Sequence, residues 1–118
     1  MRLRSLVVAD PVESVARLLA DGCERLAEER LTATNGERTL AAAASAQPEM
    51  VILSLELTKP GAVKVATELG RSCPGAFIIV TFRELAVPTM ERLGKLGIGD
   101  FVPQPVDLTL LFLSLIHI

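Results

Sequence analysis

The sequence contains no tryptophan or tyrosine, and its only aromatic side chains are four phenylalanines. It has one histidine and two cysteines among 118 residues. Outside the last six residues, no Ser–His or Cys–His set for nucleophilic catalysis can be assembled, so we expect no enzyme. Cys23 and Cys73 are far apart and lack a CxxC partner, which predicts free thiols rather than a metal or redox site.

The chain also lacks a strong excess of charge of either sign. Its 12 basic and 14 acidic residues give a net charge of −2 and are interspersed. This excludes a basic stripe for nucleic acid and a polybasic segment for anionic lipid. No apolar run reaches the roughly 18 residues of a membrane span, and Asp10-Pro11 interrupts the N-terminus too early for a secretory signal. Together with reduced thiols, this predicts a cytoplasmic protein.

The C-terminal residues 113–118 read like the translation of a sequencing adapter. We therefore expect a single domain over residues 1–112, followed by a non-native tail that truncates the last helix. The alternative is a genuine helix end whose apolar residues pack. His117 lies in this tail and is a poor candidate for catalysis. An output domain that follows the natural sequence would then be missing.

Short apolar runs alternate with helix-period segments five times. The predicted strands are Leu3–Ala9, Leu31–Thr34, Met50–Leu53, Phe77–Val80 and Phe101–Val102. Strands that are apolar on both faces and joined by helices predict an α/β fold, with a parallel sheet covered on both sides. Right-handed crossovers place the strand C-terminal ends at one edge, where ligands and chemistry gather. Ala9, Asp10, Ser54, Thr81 and Gln104 should therefore converge.

The segments between the runs predict the helices. Asp10 as N-cap with Pro11 at the first helical position predicts the start of the first helix. Its core face is predicted to be Val12, Val15, Leu19 and Leu26. Later helices are predicted over Glu37–Ala46, around Val65 and Leu69, over Leu85–Leu96 and from Val106 onward.

Five segments follow one another at the predicted strand ends: LVVADP, TATNGERTL, PEMVILSLEL, FIIVT and LGIGDFVPQP. Together they resemble the receiver (CheY-like) domain of two-component response regulators, a bacterial phosphorelay family. The resemblance covers Leu3 to about Phe112. It implies a flavodoxin-like, doubly wound (βα)5 sandwich with strand order 2-1-3-4-5. It also implies a cis peptide bond before Pro105.

In the family, an aspartate at the end of the third strand accepts a phosphoryl group, helped by magnesium, paired acids, a threonine and a lysine. Here Ser54 stands in the acceptor place, Ala9 replaces one acid and Gln104 replaces the lysine. Asp10 alone is a weak candidate ligand for magnesium, unless Glu56 swings in. The losses are mutually consistent, because a buried lysine without carboxylates would be uncompensated. The resemblance therefore implies a pseudo-receiver that binds no magnesium and carries no cofactor.

Such a module would act by protein contact. The family couples through its fourth helix, fifth strand and fifth helix, which are represented here by Leu85, Met90, Leu93, Phe101 and Val102. Phe101 is expected to pack against the fourth and fifth helices. The partners would be other proteins, the missing output domain or a second copy of the chain. Two alternatives stay open: modification of Ser54 or Thr81 by a Ser/Thr kinase, and a flavodoxin-like small-molecule binder, although the phosphate-loop motifs are absent.

Overall fold

The computed structural model of the chain describes residues 2–109 and residue 111. Within them, the strands are β1 (Leu3–Ala9), β2 (Ala27–Ala33), β3 (Met50–Ser54), β4 (Phe77–Phe82) and β5 (Asp100–Pro103). The helices are α1 (Glu13–Gly22), α2 (Gly36–Ala46), α3 (Ala62–Ser72) and α4 (Val87–Lys95). A further helical turn begins after Asp107, whose carbonyl accepts a hydrogen bond from the backbone N–H of Leu111 (3.0 Å).

The five strands form one parallel sheet in the order β2-β1-β3-β4-β5. The predicted fold class and strand order are therefore confirmed. The predicted tail, residues 113–118 with His117, and the truncation of the last helix lie outside the described residues. No helix in the described part of the chain is long and apolar enough to cross a membrane.

The central strands bury both faces, as their unbroken apolar runs require. One face carries Val7, Val51, Leu53 and Val80, and packs against α2, α3 and α4. The other carries Leu6, Val8, Ile52 and Ile79, and packs against α1 and the turn that contains Leu111. Three helices thus cover one face, while α1 and the start of a further helix cover the other.

The predicted start of the first helix was wrong. The helix begins at Glu13, and its N-cap residue is Val12. The carboxylate of Asp10 instead accepts a hydrogen bond from the backbone N–H of Val12 (2.8 Å). Asp10 therefore closes a short turn between the strand and the helix, a local bond that an aspartate makes readily outside helices.

The predicted core face of the first helix was also wrong in part. Leu19 is buried, but Val12 and Val15 are exposed, and Leu26 lies beyond the helix end. The buried positions are Ala16, Leu19, Ala20 and Cys23, which follow helical spacing. Because alanine side chains are small, the helix can approach the sheet closely. The prediction considered only large apolar side chains and therefore missed Ala16 and Ala20.

The second strand begins four residues earlier than the predicted Leu31. Its first half contains Glu28, Glu29 and Arg30, which do not look like a buried strand. Because β2 is an edge strand, these charged side chains can reach solvent.

Both cysteines are free and buried, and burial raises the pKa of the Cys23 thiol to about 11.

Candidate functional site

The C-terminal ends of β1, β3, β4 and β5 bring the predicted pocket residues together. Ser54 and Thr81 are partners in the register of β3 and β4, and Ala9 pairs with Leu53 on the other side. The backbone N–H of Gln104 donates to the carbonyl of Phe82 (2.7 Å). This bond brings Gln104 beside the end of β4, so one small pocket contains side chains from four strand ends.

The side-chain amide of Gln104 closes this pocket. Its Nε2 donates to Thr81 Oγ1 at 2.9 Å and lies 3.4 Å from Ser54 Oγ. Ser54 Oγ also accepts a hydrogen bond from the backbone N–H of Glu56 (3.2 Å). Ser54 and Thr81 are each 1% exposed. The hydroxyls therefore have partners inside the protein and are shielded from water.

Asp10 stands where the resemblance implies the second of two paired acids, and it is 4% exposed. Burial raises the pKa of the Asp10 carboxyl above its ordinary value, because the charged form loses water. The hydrogen bond from Val12 lowers the pKa, the charge of Glu56 raises it, and that of Arg83 lowers it, in decreasing order. The surroundings of Asp10 therefore disfavour the negatively charged form of its carboxyl group.

Glu56 does not turn into the pocket. Its carboxylate pairs with the guanidinium of Arg83 (Oε1–Nε 3.3 Å), and both side chains are substantially exposed. Arg83 was not predicted as part of the site. Arg83 follows Thr81 by two residues. Because the C-terminal ends of parallel strands lie at one edge of the sheet, its place near the site could have been predicted.

The donor set does not fit a magnesium ion. Magnesium prefers several hard oxygen ligands, with carboxylates among them. Ala9 has no side-chain oxygen, Ser54 is neutral and engaged by Gln104, and Glu56 pairs with Arg83. Asp10 is left as a single buried carboxylate. Among the described residues, no group of three or more His, Cys, Asp or Glu side chains could hold a metal.

The loop that follows Ser54 is tied to the start of α2. The backbone N–H groups of Gly36 and Glu37 donate to the carbonyls of Thr58 and Lys59 (both 2.8 Å). A side chain at Gly36 would collide with the backbone of Pro60, so only glycine fits there. These bonds satisfy helix N–H groups that would otherwise lack partners, and they fix the loop that follows Ser54 against α2.

The peptide bond between Gln104 and Pro105 is cis, as predicted. Pro105 itself lies outside the hydrogen-bonded pocket. It lines a cavity beside α1, together with Val15, Leu18 and Val106. Gln104 thus belongs to both places: its side-chain amide is bonded in the pocket, and the residue also lines the cavity beside α1.

The predicted interaction face is partly core. Leu93 is fully buried and Val102 is 3% exposed, so neither offers its side chain to a partner. Leu85 and Phe101 are partly buried, Met90 is exposed, and the exposed Val87 was not predicted. Phe101 packs with Leu93, on the face covered by α4. Val102 points to the opposite face, with Leu111.

The fold is that of a receiver domain. The chain superposes on a CheY-like receiver domain protein from Methanospirillum hungatei JF-1 with a TM-score of 0.88, at 14% identity, over 98% of this chain and 92% of that one. A response regulator from Burkholderia pseudomallei, described with a phosphorylated aspartic acid, calcium ion and citrate, gives 0.85 at 24% identity, over 95% and 66%. At these identities, the likeness establishes the fold alone.

The sequence is also similar to a characterised regulator. It is 30% identical over 103 residues to the alkaline phosphatase synthesis transcriptional regulatory protein PhoP of Bacillus subtilis (strain 168). The match covers 86% of this chain and 42% of PhoP, so the chain spans less than half of that relative. No protein-family model matches the sequence. The relative and the structural neighbours together support a receiver (CheY-like) fold for the chain.

Proposed function

We propose that the chain is a receiver-type signalling module of a response regulator that is not phosphorylated on aspartate and acts by protein contact. The observation that carries this proposal is the closed pocket: an amide from Gln104 bonds Thr81 and lies beside Ser54, where the resemblance implies an acceptor, a metal and a lysine.

The chemistry of the acceptor residue supports the proposal. A serine hydroxyl attacks a phosphoryl donor only when a base removes its proton. Ser54 Oγ accepts hydrogen bonds from the backbone N–H of Glu56 and from the Gln104 amide, and neither group is a base. The nearby carboxylate of Glu56 pairs with Arg83 (Oε1–Nε 3.3 Å). The hydroxyl is therefore held without activation, and the module needs no catalysis of its own.

The same burial weighs against a Ser/Thr kinase as the alternative input. Each hydroxyl is 1% exposed and lies among strand ends. A kinase would have to open the pocket and break the bonds to Gln104 before it reached Ser54 or Thr81. The closed pocket therefore favours a module whose state is not set by either modification.

The output would come from exposed surfaces. On the α4 side these are Val87 and Met90, with Leu85 partly exposed beside them. Its partner would be another protein or an output domain, as expected of receiver domains. The chain would act in the cytoplasm, which suits its free cysteines.

The direct test is incubation with acetyl phosphate and magnesium, followed by intact-mass measurement. We expect no phosphoryl adduct on the wild-type chain. The matched positive control is the variant Ala9→Asp, Ser54→Asp, Gln104→Lys, which supplies the missing acid, acceptor and lysine together. An acid-labile adduct on the wild-type chain would overturn the proposal. An acid-stable adduct on Ser54 or Thr81 would also overturn it, because no kinase is present and the hydroxyl would then have reacted with the phosphodonor unaided.

A further inference from the structure

The outer surface of α1 carries an apolar stripe that no described residue covers. Val12, Val15 and Leu18 follow one another at intervals of three residues and are all exposed. Leu18 is the most prominent, with 72% of its surface accessible. Exposed apolar side chains that cluster in this way mark contact sites more often than singly scattered ones do.

A groove runs beside this stripe, between α1 and the segment that follows β5. It consists of two adjoining cavities of about 220 and 400 Å³, both of which contact Leu18, Leu19 and Val106. We call it the α1 groove. Leu19, Val106 and Leu108 line it with apolar side chains, and we refer to these three residues as its floor. Leu18 lines both cavities and is itself largely exposed.

The two ends of the groove differ in charge. Arg83 lines one end, next to Pro105, and Asp21 lines the other, next to Leu108. Val15, which lines the same cavity as Arg83, and Asp21, which lines the other, are six positions apart along α1, or about 9 Å. Arg83 also pairs with Glu56, but that pair is exposed and therefore weak, which leaves the guanidinium available to a partner.

This arrangement is complementary to itself. A two-fold axis across the groove would place the Arg83 end of one copy against the Asp21 end of another. It would also bring Leu18 of each copy toward the apolar floor of the other. A two-fold contact requires a projection and a matching recess on the same surface, and the α1 groove has both.

We propose that the α1 groove binds a second copy of this chain in a two-fold symmetric dimer. Leu18 fills the partner's groove, and two equivalent pairs form between Arg83 of one protomer and Asp21 of the other. The contact lies on the face of the sheet opposite α4. It thus leaves Val87 and Met90 free and does not depend on the proposed function.

Sedimentation velocity of the full 118-residue chain over a range of concentrations tests this. We expect a concentration-dependent monomer–dimer equilibrium. The variant Leu18→Glu should weaken dimerisation at least about tenfold, since a charge would be buried at the centre of the contact. The matched control is Val87→Glu, an equally drastic change at an exposed position on the α4 side, which should leave the equilibrium unchanged. Thermal unfolding by circular dichroism verifies that both variants fold.

A charge swap tests the orientation. Asp21→Arg and Arg83→Glu should each weaken the dimer, and the two changes combined should restore it, because the pairs re-form with reversed sign. A chain that stays monomeric at every concentration overturns the proposal. So does a dimer that survives Leu18→Glu or is lost in Val87→Glu, since another face would then hold it. Failure of the double variant to recover would also exclude this two-fold arrangement.

Discussion

The pocket at the strand ends and the groove beside α1 are neighbours that share Gln104, yet they differ in character. The pocket is polar, closed and internally bonded, with its hydroxyls shielded from water. The groove is apolar, open and flanked by exposed side chains. The difference bears directly on the proposed function: among the described residues, the hydroxyls of the pocket are already bonded within the protein, whereas the groove and the α4 side present exposed side chains.

A charge placed in the pocket should have the largest effect and would test whether the pocket is truly neutral. Ser54→Asp puts a carboxylate at a 1% exposed position beside Asp10 without a lysine. We expect the free energy of unfolding at pH 7 to fall by about 3–5 kcal/mol, as for an unpaired buried charge. Burial raises the pKa of such a carboxyl, so the loss should shrink as the pH falls. Urea unfolding at two pH values measures both effects.

The matched variants are Ser54→Ala, which removes the hydroxyl without adding charge, and Ser54→Asp with Gln104→Lys. Ser54→Ala should lower the free energy of unfolding much less than Ser54→Asp does. Adding Gln104→Lys to Ser54→Asp should restore most of the free energy that Ser54→Asp loses. If Ser54→Asp is as stable as Ser54→Ala at pH 7, the pocket is not the neutral, closed site described above.

Truncations at the α4 side come next and separate core from surface. Leu93→Ala should cost about 2–5 kcal/mol, because a fully buried leucine leaves a cavity. Met90→Ala, on the same helix but exposed, should change the free energy of unfolding by less than about 0.5 kcal/mol. Denaturant unfolding distinguishes them. Similar losses for the two would mean that Met90 is packed as Leu93 is.

The bond between Gln104 and Thr81 should give a smaller effect. Gln104→Ala and Thr81→Val each remove one side of it and should each cost about 1–2 kcal/mol. Their double variant should lose less than the sum, with a coupling of about 0.5 kcal/mol or more. A double-mutant cycle from urea unfolding measures this. Strict additivity would show that the amide does not tie the strand ends together.

The smallest expected effect concerns the charge of Asp10. Its folded-state pKa is raised by burial, so protonation favours the folded state and stability is lost as the pH rises above 3.8 through the folded pKa. Asp10→Asn keeps an acceptor for Val12 and should flatten this dependence, with higher stability at neutral pH. Asp10→Ala, which also removes the acceptor, should be less stable than Asp10→Asn. An unchanged slope in Asp10→Asn would contradict the burial of a charged carboxylate.

The fold could be predicted from the sequence because short, unbroken apolar runs such as Met50–Leu53 are typical of strands that are buried on both faces of a parallel sheet. Because parallel strands end at one edge, the sequence also predicted that Ser54, Thr81 and Gln104 meet there. Glu56 and Pro105, which were grouped with them, lie outside the pocket. Details that depend on tertiary contact escaped prediction. The buried face of α1 consists largely of small alanines that pack against the sheet, and these are not recognised as core residues from the sequence. Leu93 and Val102 were assigned to the interaction face by resemblance to the family, but tertiary packing buries both.

The hydrogen bonds inside the pocket were beyond sequence reasoning for the same reason. That Gln104 would bond Thr81 depends on the paths of β4 and β5, which place an amide within reach of a hydroxyl from a distant part of the chain. The exposed ion pair between Glu56 and Arg83 likewise joins two segments that are far apart in the sequence. In both cases the sequence shows which residue types could pair, but it does not show that the two side chains lie within bonding distance.

The central claim is that the pocket neither binds a metal nor responds to a phosphodonor. Backbone amide NMR spectra, recorded before and after addition of magnesium and acetyl phosphate, test it most directly. We predict that the signals of Glu56, Thr81 and Gln104 stay where they are, whereas those of the Ala9→Asp, Ser54→Asp, Gln104→Lys variant move. Saturable shifts in the wild-type chain that extend from Ser54 to Phe101 would contradict the account.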